Sequence, residues 1–320
     1  MINVSIIIPH YNSTNLLEKL LLSIPNYKDI ETIVVDDKSD REIKEYTNLK
    51  NDPRFDHIVF LNNTSEKKGA GTCRNIGLKK AKGKWILFAD SDDFFLDSFY
   101  KTLQKYFDSD YDLIYFKPIS IYIDTNQQST RHLLYTNLID NYRKHKNIES
   151  ELKLRYQFPV PWSKMIKREL IYTNNITFDE VIAMNDIMFS TKVGFYANRI
   201  HAVDKEIYCV TRSSGSLTTN LTEEIIDSRI QALIRYKEFL DRYLSYEEKE
   251  FLNFSSMYEL QRIYHSGLGF RKVLEAYFRF KKNNINLFKK SMLKPSVLFN
   301  KTKTSLSRII GEKKYYRRKS

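Results

Sequence analysis

Three carboxylates fall within four positions at Asp90, Asp92 and Asp93, directly after the apolar run Trp85-Ile86-Leu87-Phe88. Like charges this close repel, and carboxylates beside a core are costly unless something compensates them. Two compensations are available: helix capping in a turn, or a divalent cation shared with a phosphate. In an extended segment side chains alternate, so Asp90 and Asp92 share one side with Ser91 between them. A hard cation such as Mg²⁺ or Mn²⁺ is held by one or two carboxylates plus substrate phosphates. A second acidic pair, Asp36-Asp37, closes the run ETIVV. Pro9 and Tyr11 open the loop after VSIII, where the Tyr11 ring could stack on a base or simply pack. Arg74 begins a helix after Gly69-Ala70-Gly71; its guanidinium suits base, ribose or phosphate, or a surface ion pair. The two glycines would let backbone approach a ligand closely.

The elements that must position these residues alternate. Short β-branched runs at Val4–Ile8, Glu31–Val35, His57–Leu61, Trp85–Ala89 and Leu113–Phe116 are separated by helical patterns near 14–24, 69–83 and 97–107. The first run is expected to stop at Pro9, which cannot donate to a ladder, and Asp93 to cap the helix that follows it. Such alternation predicts a parallel sheet with right-handed crossovers and ligands beyond the carboxyl ends of its strands. HYN, DDKSD and DSDD all lie at carboxyl ends, so three strands deliver polar tips to one edge. Further on, ISIYI and RHLLY suggest a hairpin within 119–145. Residues 163–173 and 186–197 read as helical, and Ile200–Arg212 contains a strand. Beyond about 220 the pattern is helical, with a soft boundary at SSGS near 215.

The ordered segments IIIPHYN, TIVVDDKSD and RNIGLKKAKGKWILFADSDD, followed by PWSKMIKRELI, MNDIMF and RSSGSLT, resemble family 2 glycosyltransferases of the GT-A fold across roughly residues 1–220. The resemblance implies a Rossmann-like, mainly parallel α/β sheet in a GT-A domain over 1–215. Within it, 1–118 would be the nucleotide-sugar half and 119–215 the acceptor half, with a helical basic region at 216–320. It also implies roles. Asp92 would ligate Mn²⁺ or Mg²⁺, and Asp90 would reach the ribose or a metal-bound water. Asp37 would read the base, Asp36 would support the loop, and Asp186 would be the catalytic base of an inverting displacement. Asn185 stands where the family carries Glu, leaving acceptor contacts open. Trp162 and Lys164 fall in an acceptor-side segment, although a core Trp is an equal alternative. The implied partners are a nucleotide-sugar donor, a UDP-sugar by preference, and a glycan or lipid-linked acceptor in cell-surface polysaccharide synthesis. A sugar-phosphate nucleotidyltransferase is the rival enzyme, but HYNST is not its glycine- and arginine-rich loop. A non-catalytic glycan- or nucleic-acid-binding protein is the rival of another class.

Composition bounds the rest. The net charge of +13 belongs to the tail, since residues 271–320 hold 16 Lys and Arg against 2 Asp and Glu. Mixed there with Phe, Leu, Tyr and Ile, these cations fit an interfacial segment on an anionic membrane surface. A solvated basic face is the alternative, and no nucleic-acid motif accompanies the charge. Two distant cysteines, Cys73 and Cys209, fit a reducing compartment rather than a disulfide framework. No stretch approaches the ~20 apolar residues of a membrane span. The expected location is cytoplasmic, with the tail on the inner face of the membrane.

Overall fold

The computed structural model describes residues 1–212 and 221–288. Two compact units divide the chain, Met1–Tyr236 and Lys237–Ser320. The boundary read near 215 from SSGS, the end of RSSGSLT and the tail beyond 288 lie outside the described residues.

The first unit runs β1 (Val4–His10), α1 (Thr14–Leu22), β2 (Ile30–Asp36), α2 (Ile43–Lys50), β3 (Val59–Asn62), α3 (Ala70–Lys80), β4 (Trp85–Phe88), β5 (Phe94–Phe95) and α4 (Phe99–Gln104). It continues through β6 (Leu113–Tyr122), α5 (Leu133–His145), α6 (Ile148–Gln157), β7 (Lys164–Lys167), α7 (Arg168–Thr173), α8 (Ile187–Tyr196) and β8 (Ile200–Arg212) into α9 (Glu223–Tyr243). One eight-stranded sheet has the order β3-β2-β1-β4-β7-β6-β8-β5. The β3-β2-β1-β4 half is parallel. All seven residues of β1 and all four of β4 are buried, as expected of strands covered on both faces. Because β1 pairs with β2 on one side and β4 on the other, the chain reverses direction of winding there. The crevice at such a switch point is where α/β sheets receive ligands.

Four expectations need correction. β1 does not stop at Pro9 but continues to His10, paired with Asp36. Ile7 offers its carbonyl to Ala89 on the β4 side, so Pro9, two residues on, turns its missing N–H to that same side. The β1–β4 register has ended by then, and no ladder bond is lost. Second, RHLLY is not a hairpin strand: Leu133–His145 is helical, burying Leu138 and Ile139. β7 flanks β6 only over Leu113–Tyr115; farther along, ISIYI does meet a short antiparallel return, with Ile121 bridged to Gln128, but that return ends before RHLLY. Third, the segment 163–173 begins as β7, antiparallel to both β4 and β6, and turns helical only at Arg168. Burial of Lys164-Met165-Ile166 in mid-sheet overrides helical propensity. The sheet is therefore mixed. Fourth, Asp93 caps nothing: α4 starts at Phe99 behind Ser98, and the Asp93 carboxyl is turned into the protein.

In the second unit α10 (Tyr246–Leu252) opens on a capping box in which Ser245 and Glu248 satisfy each other's backbone N–H groups. α11 (Met257–His265) and α12 (Phe270–Lys282) pack together and bury Leu260, Ile263, Ala276 and Phe280. Among the described residues no helix is long and apolar enough to cross a membrane.

Candidate active site

The loops after β1 and β4 meet at the switch point, where the Ser13 and Ser91 hydroxyls lie 3.0 Å apart. Around them the carboxyl edge gathers most of the residues singled out by sequence.

The pair after β2 divides its work. Asp36 is drawn inward, its Oδ1 2.9 Å from His10 Nδ1 and accepting from Ser39 Oγ at 2.6 Å. Its burial opposes ionisation, but the His10 and Ser39 hydrogen bonds prevail and hold the carboxyl below its ordinary value. Ser13 N–H donates to His10 Nε2, so the proton on this imidazole sits on Nδ1 and faces Asp36. Asp37 accepts from Asn63 Nδ2 at 2.7 Å and from the Gly69 backbone N–H at 2.6 Å. Gly69 is the N-cap of α3, so this carboxylate sits where a helix dipole favours negative charge. Each oxygen keeps a second lone pair for a donor arriving from the cleft. Tyr11 is exposed at the rim, with the Lys68 ammonium 5.1 Å from its ring centre, while Pro9 is buried within β1.

The DSDD turn is pinned from behind by β8. Asp90 N–H donates to the Tyr208 hydroxyl oxygen, and that hydroxyl donates to Asp93 Oδ2 at 2.9 Å. Thr211 N–H donates to Asp93 Oδ1, and Thr211 Oγ1 donates to the Asp92 carbonyl. Burial, then the charges of Asp92 and Asp90, push the Asp93 carboxyl well above its ordinary value. Asp93 is thus the structural member of the acidic cluster. Asp92 is its exposed member: among the described residues it makes no salt bridge, and the Arg131 charge only partly offsets the shift that its surroundings impose. Crowding by protein, then the Asp90 charge, raise its pKa to about 6.

Arg74, on the second turn of α3, spans the site. One guanidinium nitrogen contacts Asp90 Oδ1 at 2.5 Å and the other donates to Asn185 Oδ1 at 2.9 Å. The group lies 5.2 Å above the Phe178 ring. Asp186, next to Asn185, is the residue before α8, yet its side chain makes no capping hydrogen bond. Its carboxyl is raised above the ordinary value by burial, against the opposing charge of Arg74. A half-buried carboxylate that is neither capping nor paired is free to take a proton from a ligand.

Gly71 serves a different approach from the expected one. A methyl there would stand 2.2 Å from the Asp179 carbonyl oxygen and 3.0 Å from Asn185 Cβ. The glycine lets α3 close on the 179–185 loop, and no ligand is needed to explain it.

Two expected residues are absent from the surface. Trp162 is 1% exposed, ringed by Tyr135, Phe158 and Tyr208, so no face is left for a sugar. Lys164 is equally buried, its Nζ donating to the Phe158 carbonyl at 2.6 Å. Burial depresses this ammonium to about 7, with Asp186 opposing the shift. The unfolded chain, with Lys164 near its ordinary value of 10.5, binds the extra proton between about pH 7 and 10.5. Stability should therefore rise with pH across that window, and the cost of the buried charge is fully present below it. Against Lys164→Met, wild type should gain up to about 1.4 kcal/mol per pH unit, read from urea midpoints at successive pH values. Parallel pH profiles would show that the lysine stays charged.

Tyr208, Thr211, His10 and Asn63 were missed. β8 was legible as a strand, but no local signal says that it returns to the DSDD turn.

The profile of glycosyl transferase family 2 matches residues 5–173, more than half of the chain. The chain belongs to glycosyl transferase family 2. It is 27% identical over 243 residues to glycosyltransferase GlyA of Streptococcus pneumoniae, covering 72% of this chain and 33% of that one. To the poly(ribitol-phosphate) beta-glucosyltransferase of Bacillus spizizenii it is 29% identical over 229 residues, covering 66% and 33%. The chain thus spans about a third of the length of these two relatives. The crystal structure of residues 1–349 of S. aureus TarS in complex with UDP-GlcNAc superposes with a TM-score of 0.67, covering 88% of this chain and 80% of that one. At 20% identity this likeness speaks for the fold alone, a GT-A sheet with flanking helices.

Proposed function

We propose that the protein transfers a sugar, with inversion, from a UDP-sugar to a hydroxyl of a glycan or lipid-linked acceptor in cell-surface polysaccharide synthesis. The observation that carries this reading is the convergence of Asp37, Arg74, Asp90, Asp92 and Asp186 on one crevice at the switch point. The names of the relatives, which include a poly(ribitol-phosphate) transferase, support the class of acceptor. The neighbour holding UDP-GlcNAc supports the class of donor.

In this reading Asp37 accepts the uracil N3–H, Tyr11 covers the base from the rim, and Asp90 with Ser91 meets the ribose. Arg74 offers its guanidinium to the diphosphate once the donor competes for Asp90. Asp186 accepts the proton of the acceptor hydroxyl as its oxygen bonds to the anomeric carbon. The bond from that carbon to the diphosphate breaks, and the nucleoside diphosphate departs with the electron pair.

The donor set fits Mn²⁺ or Mg²⁺. Asp92 is outward, unpaired and crowded by Asp90, and a cation would relieve the crowding that raises its pKa. Bound there, the cation would neutralise charge on the departing diphosphate. Among the described residues no group of three His, Cys, Asp or Glu side chains could hold a metal. Because Arg74 engages Asp90 and Asp93 is locked by Tyr208 and Thr211, the DSDD turn presents one carboxylate, Asp92, without an ion pair or lock among the described residues. Metal should therefore bind well only when nucleotide phosphates complete its shell.

Calorimetry with UDP, GDP and dTDP, each with and without Mn²⁺, tests both halves of the reading. UDP with Mn²⁺ should bind at least about tenfold tighter than UDP without it, and Asp92→Asn should erase that gain. If no nucleotide binds under any condition, the crevice is not a donor site. If metal alone binds as tightly as metal with UDP, the cation does not need nucleotide phosphates to complete its shell.

A further inference from the structure

The sugar-transfer crevice leaves the basic, aromatic second unit without a use, and α12 carries its most telling feature. One face of this helix is anchored: Lys272, Ala276 and Phe280, spaced by four, are buried. The face turned away repeats the same spacing with large apolar residues in water. Phe270 is 65% exposed, Leu274 41% and Phe278 60%. Phe280 already fills the core side, so this stripe is not a core face awaiting its own helix pair. Exposed apolar residues are ordinary when scattered, but three in line on one helix face mark an interaction surface.

The charges around the stripe say what covers it. Arg271, Lys281 and Lys282 are exposed on the same arc, and none pairs with a carboxylate among the described residues. The one acid on that arc, Glu275, is already neutralised by Lys272 at 3.3 Å and Arg279 at 3.7 Å. The arc is therefore apolar along its centre and cationic at its edge. Beyond the described residues the chain adds eleven Lys and Arg against one Glu over 289–320. Thirteen residues of helix reach about 20 Å, short of the ~30 Å hydrocarbon core, so α12 suits lying on a bilayer rather than crossing it.

We propose that α12 is a docking surface for an anionic lipid bilayer, its Phe270-Leu274-Phe278 stripe entering the acyl boundary while Arg271, Lys281 and Lys282 meet the headgroups. Apolar insertion and headgroup attraction reinforce one another on such a helix. A nucleic acid would satisfy the cations but leave Leu274 at the centre of the stripe without a partner.

Full-length protein is sedimented with vesicles of phosphatidylcholine and with vesicles containing a quarter phosphatidylglycerol, at low and high salt. Binding is expected to the anionic vesicles only, weakening with salt. Combined Phe270→Ser, Leu274→Ser and Phe278→Ser should lower partitioning at least about tenfold with thermal stability unchanged. A Phe278→Trp variant should shift its emission to the blue on adding anionic vesicles, a local readout that a misfolded triple variant cannot imitate. The proposal is overturned if the serine variant binds like wild type, which would assign binding to residues 289–320. It is also overturned if the Trp emission does not move, or if the serine changes dissolve a dimer without affecting vesicle binding. Comparable affinity for duplex DNA that competes with vesicles equally overturns it. No sugar nucleotide enters these measurements, so they stand or fall apart from the transferase reading.

Discussion

Asp186→Asn should lower kcat for sugar transfer by about 10²–10⁴-fold, the range that a positioned general base supplies. The side chain keeps its size, and the carboxylate it replaces makes no capping bond to α8, so fold and helix start should survive. Nucleotide affinity should be unchanged, because the donor-side groups Asp37, Asp90 and Asp92 come from other strands. That combination distinguishes the base from a merely nearby acid. Were Asp186 only a helix cap, the variant would lose some stability and little rate, and were it a donor ligand, UDP binding would weaken in step with kcat. Steady-state kinetics with calorimetry on the same preparation separates the three outcomes.

Gly71→Ala should be the most damaging methyl in the crevice. Its Cβ would lie 2.2 Å from the backbone carbonyl oxygen of Asp179, not from the end of a flexible side chain able to swing away. Overpacking of this kind typically costs about 1–3 kcal/mol. The strain would be released by moving α3 or the 179–185 loop. Either movement separates Arg74 from Asn185, whose 2.9 Å bond ties the donor-side helix to the segment carrying Asp186. Stability should fall by that amount, and kcat should fall further than stability explains, since misplacement by an ångström can cost about a hundredfold. Thermal unfolding alongside kinetics tests it. A Gly71→Ala protein with unchanged melting and unchanged kcat would mean the loop has slack that this close contact denies.

These two residues also separate what local sequence conveys from what it does not. The strand tips were legible because their signal is local: a β-branched or aromatic run, then an abrupt acidic or polar tip, needs no distant partner to be read. Asp36-Asp37 and the DSDD cluster could therefore be assigned to the carboxyl edge, and the order of the segments carried the family and the GT-A sheet. The tail's charge was equally plain, since charge is a matter of counting.

What the acids do individually was decided by contacts across more than a hundred positions. Asp93 lies within the same four residues as Asp92; alternation sets it on the other side, but nothing local says what it meets there. Tyr208 and Thr211, arriving on β8, turn Asp93 into a buried lock and leave Asp92 facing out. Trp162 and Lys164 sit in a motif-like segment, but insertion of β7 between β4 and β6 puts both in the core. Gly71 resembled a ligand-approach glycine until the 179–185 loop was seen against it. On α12 the sequence announces an amphipathic helix, while only packing on α11 decides that Phe280 is the buried aromatic and Phe278 the exposed one. Period and charge are properties of neighbours along the chain and determine which elements form and which edge is polar. Burial and pairing are properties of neighbours in space, and those set each residue's charge state and its task.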